Sequence, residues 1–184
     1  MKNVRHLVGI TGKARSGKDT AGSFLVRKNG FHRMAFADPL KAAMAATFGV
    51  PLEEFHDDNL KDEAHPIWQM TRRHMLQYGA DGLRGQFGQD LFTRRWLNSY
   101  LPLAAQEHVV VTDVRSDAEA STIRELGGRV IRITRAEQGL NGFASLHHTE
   151  QGVNPRLIHT VINNTGTVED LHEKIETYLR STKL

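Results

Sequence analysis

The stretch Gly12-Lys13-Ala14-Arg15-Ser16-Gly17-Lys18-Asp19-Thr20 constrains this chain more than any other. It follows an apolar run, His6-Leu7-Val8-Gly9-Ile10-Thr11, that reads as a buried strand. It opens an amphipathic helix through Ala21, Phe24 and Leu25, which Gly30 can end at its C′ position. Strand, glycine-containing turn and helix in this order are the context of a phosphate-binding loop. Glycines let the backbone curl so that its N–H groups point inward, the helix N-terminus adds positive partial charge, and Lys18 reaches the outer phosphates. One position departs from the usual pattern. The residue after the lysine is ordinarily Ser or Thr, whose hydroxyl binds Mg²⁺; here it is Asp19, followed by Thr20.

Composition narrows the class. A chain of 184 residues, 39% of them hydrophobic, suits one domain with a sizeable core. No apolar run is long enough to span a bilayer, and Lys2, Arg5 and His6 interrupt any signal-peptide-like stretch. No membrane partner is expected. The absence of cysteine rules out disulfides and thiolate metal sites and agrees with a reducing cytoplasm. The net charge is only +3, with arginines scattered near predicted strand ends. That pattern suits an anionic small molecule, not a nucleic-acid surface.

Further along, Phe31–Phe36 reads as a short strand, and Asp38-Pro39 starts a helix with Asp38 as N-cap and Pro39 at the first helical position. Residues 50–66 are polar and acidic and read as a mobile loop. Helical stretches are expected at Trp68 to about Arg84 and Leu91 to about Gln106. Then strands and helices alternate. Val109–Thr112 is an apolar β-branched run, and Ser116 with Glu119 forms a capping box for a helix to Leu126. Arg129–Arg135 and Thr160–Asn163 are the remaining strands. Thr167 caps a C-terminal helix whose Leu171, Ile175, Tyr178 and Leu179 make one apolar stripe. The reading is α/β: a parallel sheet covered on both faces, with ligands at the strands' carboxyl ends. Without repeats or linkers, residues 1–184 form a single domain, carrying a helical insertion at about 39–106.

Groups suited to phosphoryl transfer fall at predicted strand ends. Asp113 and Arg115 follow Val109–Thr112; Asp113 could hold Mg²⁺ through water or orient a hydroxyl, and Arg115 could bind phosphate through its planar fork. An ordinary ion pair or cap is the competing reading. Arg135 opens a polar stretch, about 136–155, that could be a lid bringing the arginine to the transferred phosphate; a solvated surface arginine is the alternative. On the inserted helix lie Arg72, Arg73 and Gln77, then Asp81 and Arg84. Gln77 could read a base edge, and of two adjacent arginines at most one faces a site. His147-His148 are poorly placed to chelate one ion and read as loop residues.

Together these stretches resemble the phage-type deoxynucleoside monophosphate kinases, a branch of the P-loop kinases. The resemblance is carried by Arg15–Thr20, Arg72-Arg73 to Gly79-Ala80-Asp81, and Thr112–Asp117 with Glu119. It continues through Gly127–Ile131, Arg135, His148-Thr149-Glu150 and Val161–Asn164. They lie in family order, and a loop ending Gly-Lys-Asp-Thr is itself a family trait. The resemblance implies a three-layer α/β/α fold, ATP as donor, Mg²⁺, and deoxynucleoside monophosphates (dNMP) as acceptors. Gly12 to Thr20 would hold the ATP phosphates, with Asn163 and Asn164 near adenine. Asp38, Arg72, Arg73, Gln77, Asp113 and Arg115 would lie near the acceptor. Catalysis would fall to Lys18, Arg15, Arg115 and Arg135, and Mg²⁺ to Asp19, Thr20 and Asp113. Ala80, where the family has Thr, and a shortening between Asp57 and Trp68 bear on base preference. A cytoplasmic protein of the host cell is implied, with a homodimer left open. Kinases of dephospho-coenzyme A or phosphomevalonate, and a non-catalytic nucleotide-binding switch, are the alternatives.

Overall fold

The computed structural model describes residues 5–135 and 152–182, and they gather into two compact units. The first comprises the chain up to Ala35 and from Leu97 onward; the second is Phe36–Trp96.

The first unit is built on five parallel strands in the order β2-β3-β1-β4-β5. These are β1 (Leu7–Thr11), β2 (Phe31–Met34), β3 (His108–Val111), β4 (Arg129–Thr134) and β5 (Thr160–Asn163). The central strands are nearly all apolar because both faces are covered. Alternation along β1 shows how. Val8 and Ile10 pack with Val110, Ile131 and Ile133 against α1 (Lys18–Asn29) and the C-terminal helix α6 (Val168–Ser181). Gly9 faces the other way, where a side chain would meet Ile123 of α5 (Asp117–Glu125) at 2.6 Å. Helices thus lie on both faces, giving the expected three layers, α/β/α.

Helix ends follow local chemistry. Ser116 and Glu119 form the expected capping box on α5, and Thr167 forms one with Asp170 on α6. Gly30 ends α1 in the left-handed conformation, φ 67°. The apolar stripe of α6, Leu171, Ile175, Tyr178 and Leu179, is buried in full.

The second unit holds α2 (Asp38–Phe48), α3 (Arg72–Phe87) and the start of α4 (Leu91–Tyr100). Asp38 is the first residue of α2 and not its N-cap; Ala37 occupies that position, in helical geometry with no side-chain cap. Apolar residues of the three helices interlock through Leu40, Ala80 and Phe92. The acidic stretch expected as a mobile loop contains a 3₁₀ turn, Leu52–Phe55, and buries Phe55 completely with Val50 and Met75. One aromatic anchor outweighs weak periodicity there. α3 also starts later than expected, because Thr71 caps it through the His74 N–H.

Candidate active site

All five strands run parallel, so their carboxyl ends share one edge of the sheet. On that edge the first unit gathers the loop after β1, Asp113 and Arg115 after β3, Arg135 after β4, and Asn163 and Asn164 at the end of β5. β1 and β3 are neighbours whose onward connections leave in opposite directions, which opens a crevice between their ends.

The loop's shape is set by its glycines. Gly12 has φ 147°, and a Cβ there would sit 2.2 Å from the Ile133 carbonyl oxygen and 2.8 Å from Ser16 Oγ. Gly17 has φ 104°, and its Cβ would lie 2.6 Å from Asn164 Nδ2. Between them Arg15 is also left-handed, φ 61°. Left-handed residues at such spacing turn successive N–H groups into a common concavity that suits an anion. α1 begins at Lys18 with Gly17 as N-cap and no side-chain cap, so its first-turn N–H groups have no internal acceptor. The Lys18 ammonium lies over the loop, donating to the Lys13 carbonyl at 2.7 Å. Ser16 is buried, and its Oγ has no hydrogen-bond partner. This is a cationic cradle with donors in hand, and it fits a polyphosphate.

Asn164 holds that cradle in place. It is buried, and its Nδ2 donates to the Ser16 carbonyl at 2.9 Å. Asn163 is exposed and accepts from Thr134 Oγ1 at 2.6 Å. The resemblance sets both near adenine; the tether gives Asn164 a structural role besides, signalled in the sequence only by an amide directly after a strand.

Arg115 is exposed and Asp113 half-buried. Between them and the core lies Glu119, whose Oε2 accepts the backbone N–H groups of Arg115 at 2.7 Å and Ser116 at 3.0 Å. That clamp fixes the turn from which Arg115 projects. Burial, and then the Asp113 carboxylate, push Glu119 above the usual carboxylate range, while the two N–H groups pull it down. Glu119 acts through the backbone, as its capping position predicts.

In the second unit the two adjacent arginines are both engaged. Arg72 is buried, paired with Glu54 and donating from Nη1 to the Glu63 carbonyl at 3.1 Å. Arg73 meets Asp62 through two nitrogens, Nε at 2.6 Å and Nη2 at 3.1 Å. The acidic run at 53–63 and the basic pair at 72–73 thus answer one another within the unit, a complementarity visible in the sequence. Gln77 lies half-buried on the same helix, and Asp38 begins α2. The lid expected at 136–155, with His147, His148, Thr149 and Glu150, lies outside the described residues up to position 151. Arg135, described and exposed, precedes it.

Among the described residues no group of three or more acidic or histidine side chains could cage a metal, and no helix is long and apolar enough to cross a membrane. Asp19 and Thr20 on the first turn of α1 and Asp113 at the end of β3 are the oxygen donors beside the loop.

A five-stranded parallel sheet of this order, with its glycine loop between β1 and the first helix, defines the P-loop kinase fold. Dephospho-CoA kinase from Campylobacter jejuni shares it with a TM-score of 0.54, 16% identity and coverage of 97% of both chains, a likeness of fold alone. The family is narrower. A family model described as deoxynucleotide monophosphate kinase matches residues 6–68 and 58–175. A putative deoxynucleotide monophosphate kinase of Acanthamoeba polyphaga mimivirus is 34% identical over 92% of this chain and 93% of its own length. The deoxynucleotide monophosphate kinase of Enterobacteria phage T4 is 30% identical over 67% of this chain, but only 48% of its own. The chain belongs to the deoxynucleotide monophosphate kinase family.

Proposed function

We propose that the protein transfers the γ-phosphoryl group of ATP to a deoxynucleoside monophosphate, yielding ADP and the diphosphate. The observation that carries this reading is the uncapped, glycine-shaped loop of a family member, facing the same sheet edge as Arg115. Loop N–H groups and Lys18 would hold the β- and γ-phosphates, with Arg15 beside them. Arg115 would fix the acceptor's phosphate for in-line attack, and Arg135 would meet the moving group's charge. An oxygen of that phosphate forms the new bond to the γ-phosphorus as the bond to the β-bridging oxygen breaks. No proton need leave the acceptor, whose oxygen is already anionic. Asp19, Thr20 and Asp113 would hold Mg²⁺ together with the phosphates, since such ions keep few protein ligands; when bound, it neutralises phosphate charge.

The second unit serves in this reading as the acceptor-binding insertion. Arg72, engaged by Glu54 and Glu63, supports its framework, while Asp38, Gln77 and, on release from Asp62, Arg73 would meet the acceptor. Product analysis with ATP and a panel of deoxy- and ribonucleoside monophosphates tests the proposal. Diphosphate formation from at least one dNMP is expected, lost in Lys18→Ala. ATP hydrolysis with no phosphorylated acceptor, or transfer to a non-nucleotide acceptor alone, would overturn it.

A further inference from the structure

Three arginines lie on α3 in described surroundings, and two are saturated by carboxylates of their own unit. The third, Arg84, is not. Its guanidinium carbon lies 5.0 Å from the centre of the Phe92 ring, and its side chain is only 16% exposed. Its Nη1 is buried with no hydrogen-bond partner; Asp81 Oδ1 stands 3.9 Å away, within ion-pair reach but too far for a hydrogen bond. A buried charged donor left unmade is costly, and native proteins keep few of them without a reason. A cation in the last turn of a helix does complement the dipole, but that effect needs neither burial nor an aromatic platform.

Residues 77, 81 and 84 recur on one face of α3 at helical spacing, so Gln77, Asp81 and Arg84 form one polar strip. The charge of Asp81 offsets much of Arg84's, which makes the pair a poor seat for a dianionic phosphate. A guanidinium is donor-only and planar, so what it matches is a pair of neutral acceptors side by side.

We propose that Arg84 is a base-reading residue of the acceptor site, donating to a carbonyl and ring nitrogen of the nucleobase, with Gln77 beside it on the helix. The inference rests on the monophosphate-kinase reading and adds the group that discriminates among bases. Guanine offers O6 and N7 to such a fork, whereas adenine replaces the carbonyl with an amino donor.

The test compares dGMP with dAMP in wild type and Arg84→Met, a variant that keeps an apolar stem on Phe92. Steady-state kinetics, with calorimetric binding of each monophosphate in the absence of ATP, should show dGMP weakened about tenfold or more. dAMP should change far less, ATP should keep its KM, and dGMP should raise the melting temperature less in the variant than in wild type at equal concentration. Equal weakening of both monophosphates would make Arg84 a phosphate contact and overturn the proposal. Unchanged binding, or a lowered melting temperature of the free variant with no base-dependent loss, would make it structural. Should the wild type phosphorylate none of the panel, the kinase reading fails, and the base contact is still judged by the two calorimetric affinities.

Discussion

At the scale of single residues, the loop shows how little latitude a phosphate cradle has. Gly12 and Gly17 combine positive φ with backbone or amide neighbours closer than any Cβ tolerates, so two constraints coincide at each. Asn164 is the matching side chain. In Asn164→Ala the Ser16 carbonyl loses a buried donor, and we expect a loss of about 1–2 kcal/mol in unfolding free energy together with a raised KM for ATP. Chemical denaturation and kinetics check this; unaltered stability with a changed ATP-versus-GTP preference would return Asn164 to the adenine. Arg115 is tested by charge-conserving replacement. Arg115→Lys keeps the cation but loses the fork, so KM for dNMP should rise roughly tenfold with ATP affinity held, as calorimetry would show. A fall in ATP affinity instead would assign Arg115 to the donor.

At the scale of elements, the second unit is held by a short acidic segment folded onto α3. Phe55 supplies its apolar anchor, and Glu54, Asp62 and the Glu63 carbonyl supply its polar ones. Arg72 is 6% exposed, so its charge depends on Glu54. Removing one partner of a buried pair leaves an uncompensated ion. Glu54→Ala should therefore destabilise the protein by on the order of 2–3 kcal/mol, reduced from the fully buried case because Glu54 itself is partly exposed. The Arg73–Asp62 pair, whose carboxylate is half exposed, should cost less in Asp62→Ala. Urea melts of the two variants decide it: equal losses would mean that burial does not distinguish the pairs.

At the scale of the whole molecule, three histidines mark the amino ends of the strands, opposite the loop edge. His108 Nδ1 accepts the His6 N–H at 3.1 Å, and His159 Nδ1 accepts the Val130 N–H at 3.3 Å. Burial lowers all three, chiefly; His108 and Arg129 add to this at His6, Arg5 at His108 against an opposing Glu107, and Arg124 and Arg129 at His159. A depressed folded-state value means that the unfolded chain binds protons first as pH falls. The stability these groups contribute is complete above about 6.5 and drains away below it as each folded-state value is approached. Glu119, raised by burial, works in the opposite sense at lower pH. We expect unfolding free energy to fall between pH 7.5 and 5.5, and the slope to flatten in His108→Gln with His159→Gln. An equally steep slope in the double variant would place the acid sensitivity elsewhere.

Much of this was legible in the sequence because the signals are local. The β1–loop–α1 unit, the Ser116–Glu119 box, the Thr167 cap and strand Thr160–Asn163 each depend on residues within a few positions of one another. The helix stripe of α6 needed only a period of 3.6. What tertiary structure decided was partnership across the chain. Asn164 reaches a carbonyl 148 residues away, and no local pattern distinguishes a tether from a ligand contact. Arg72 and Arg84 are alike as letters on one helix. Only burial against Glu54 in one case, and against Phe92 with a donor unmade in the other, separates a structural arginine from one held for something else. Hydrophobic periodicity is written along the chain, but the pairing of buried charge is settled only when distant segments are brought into contact.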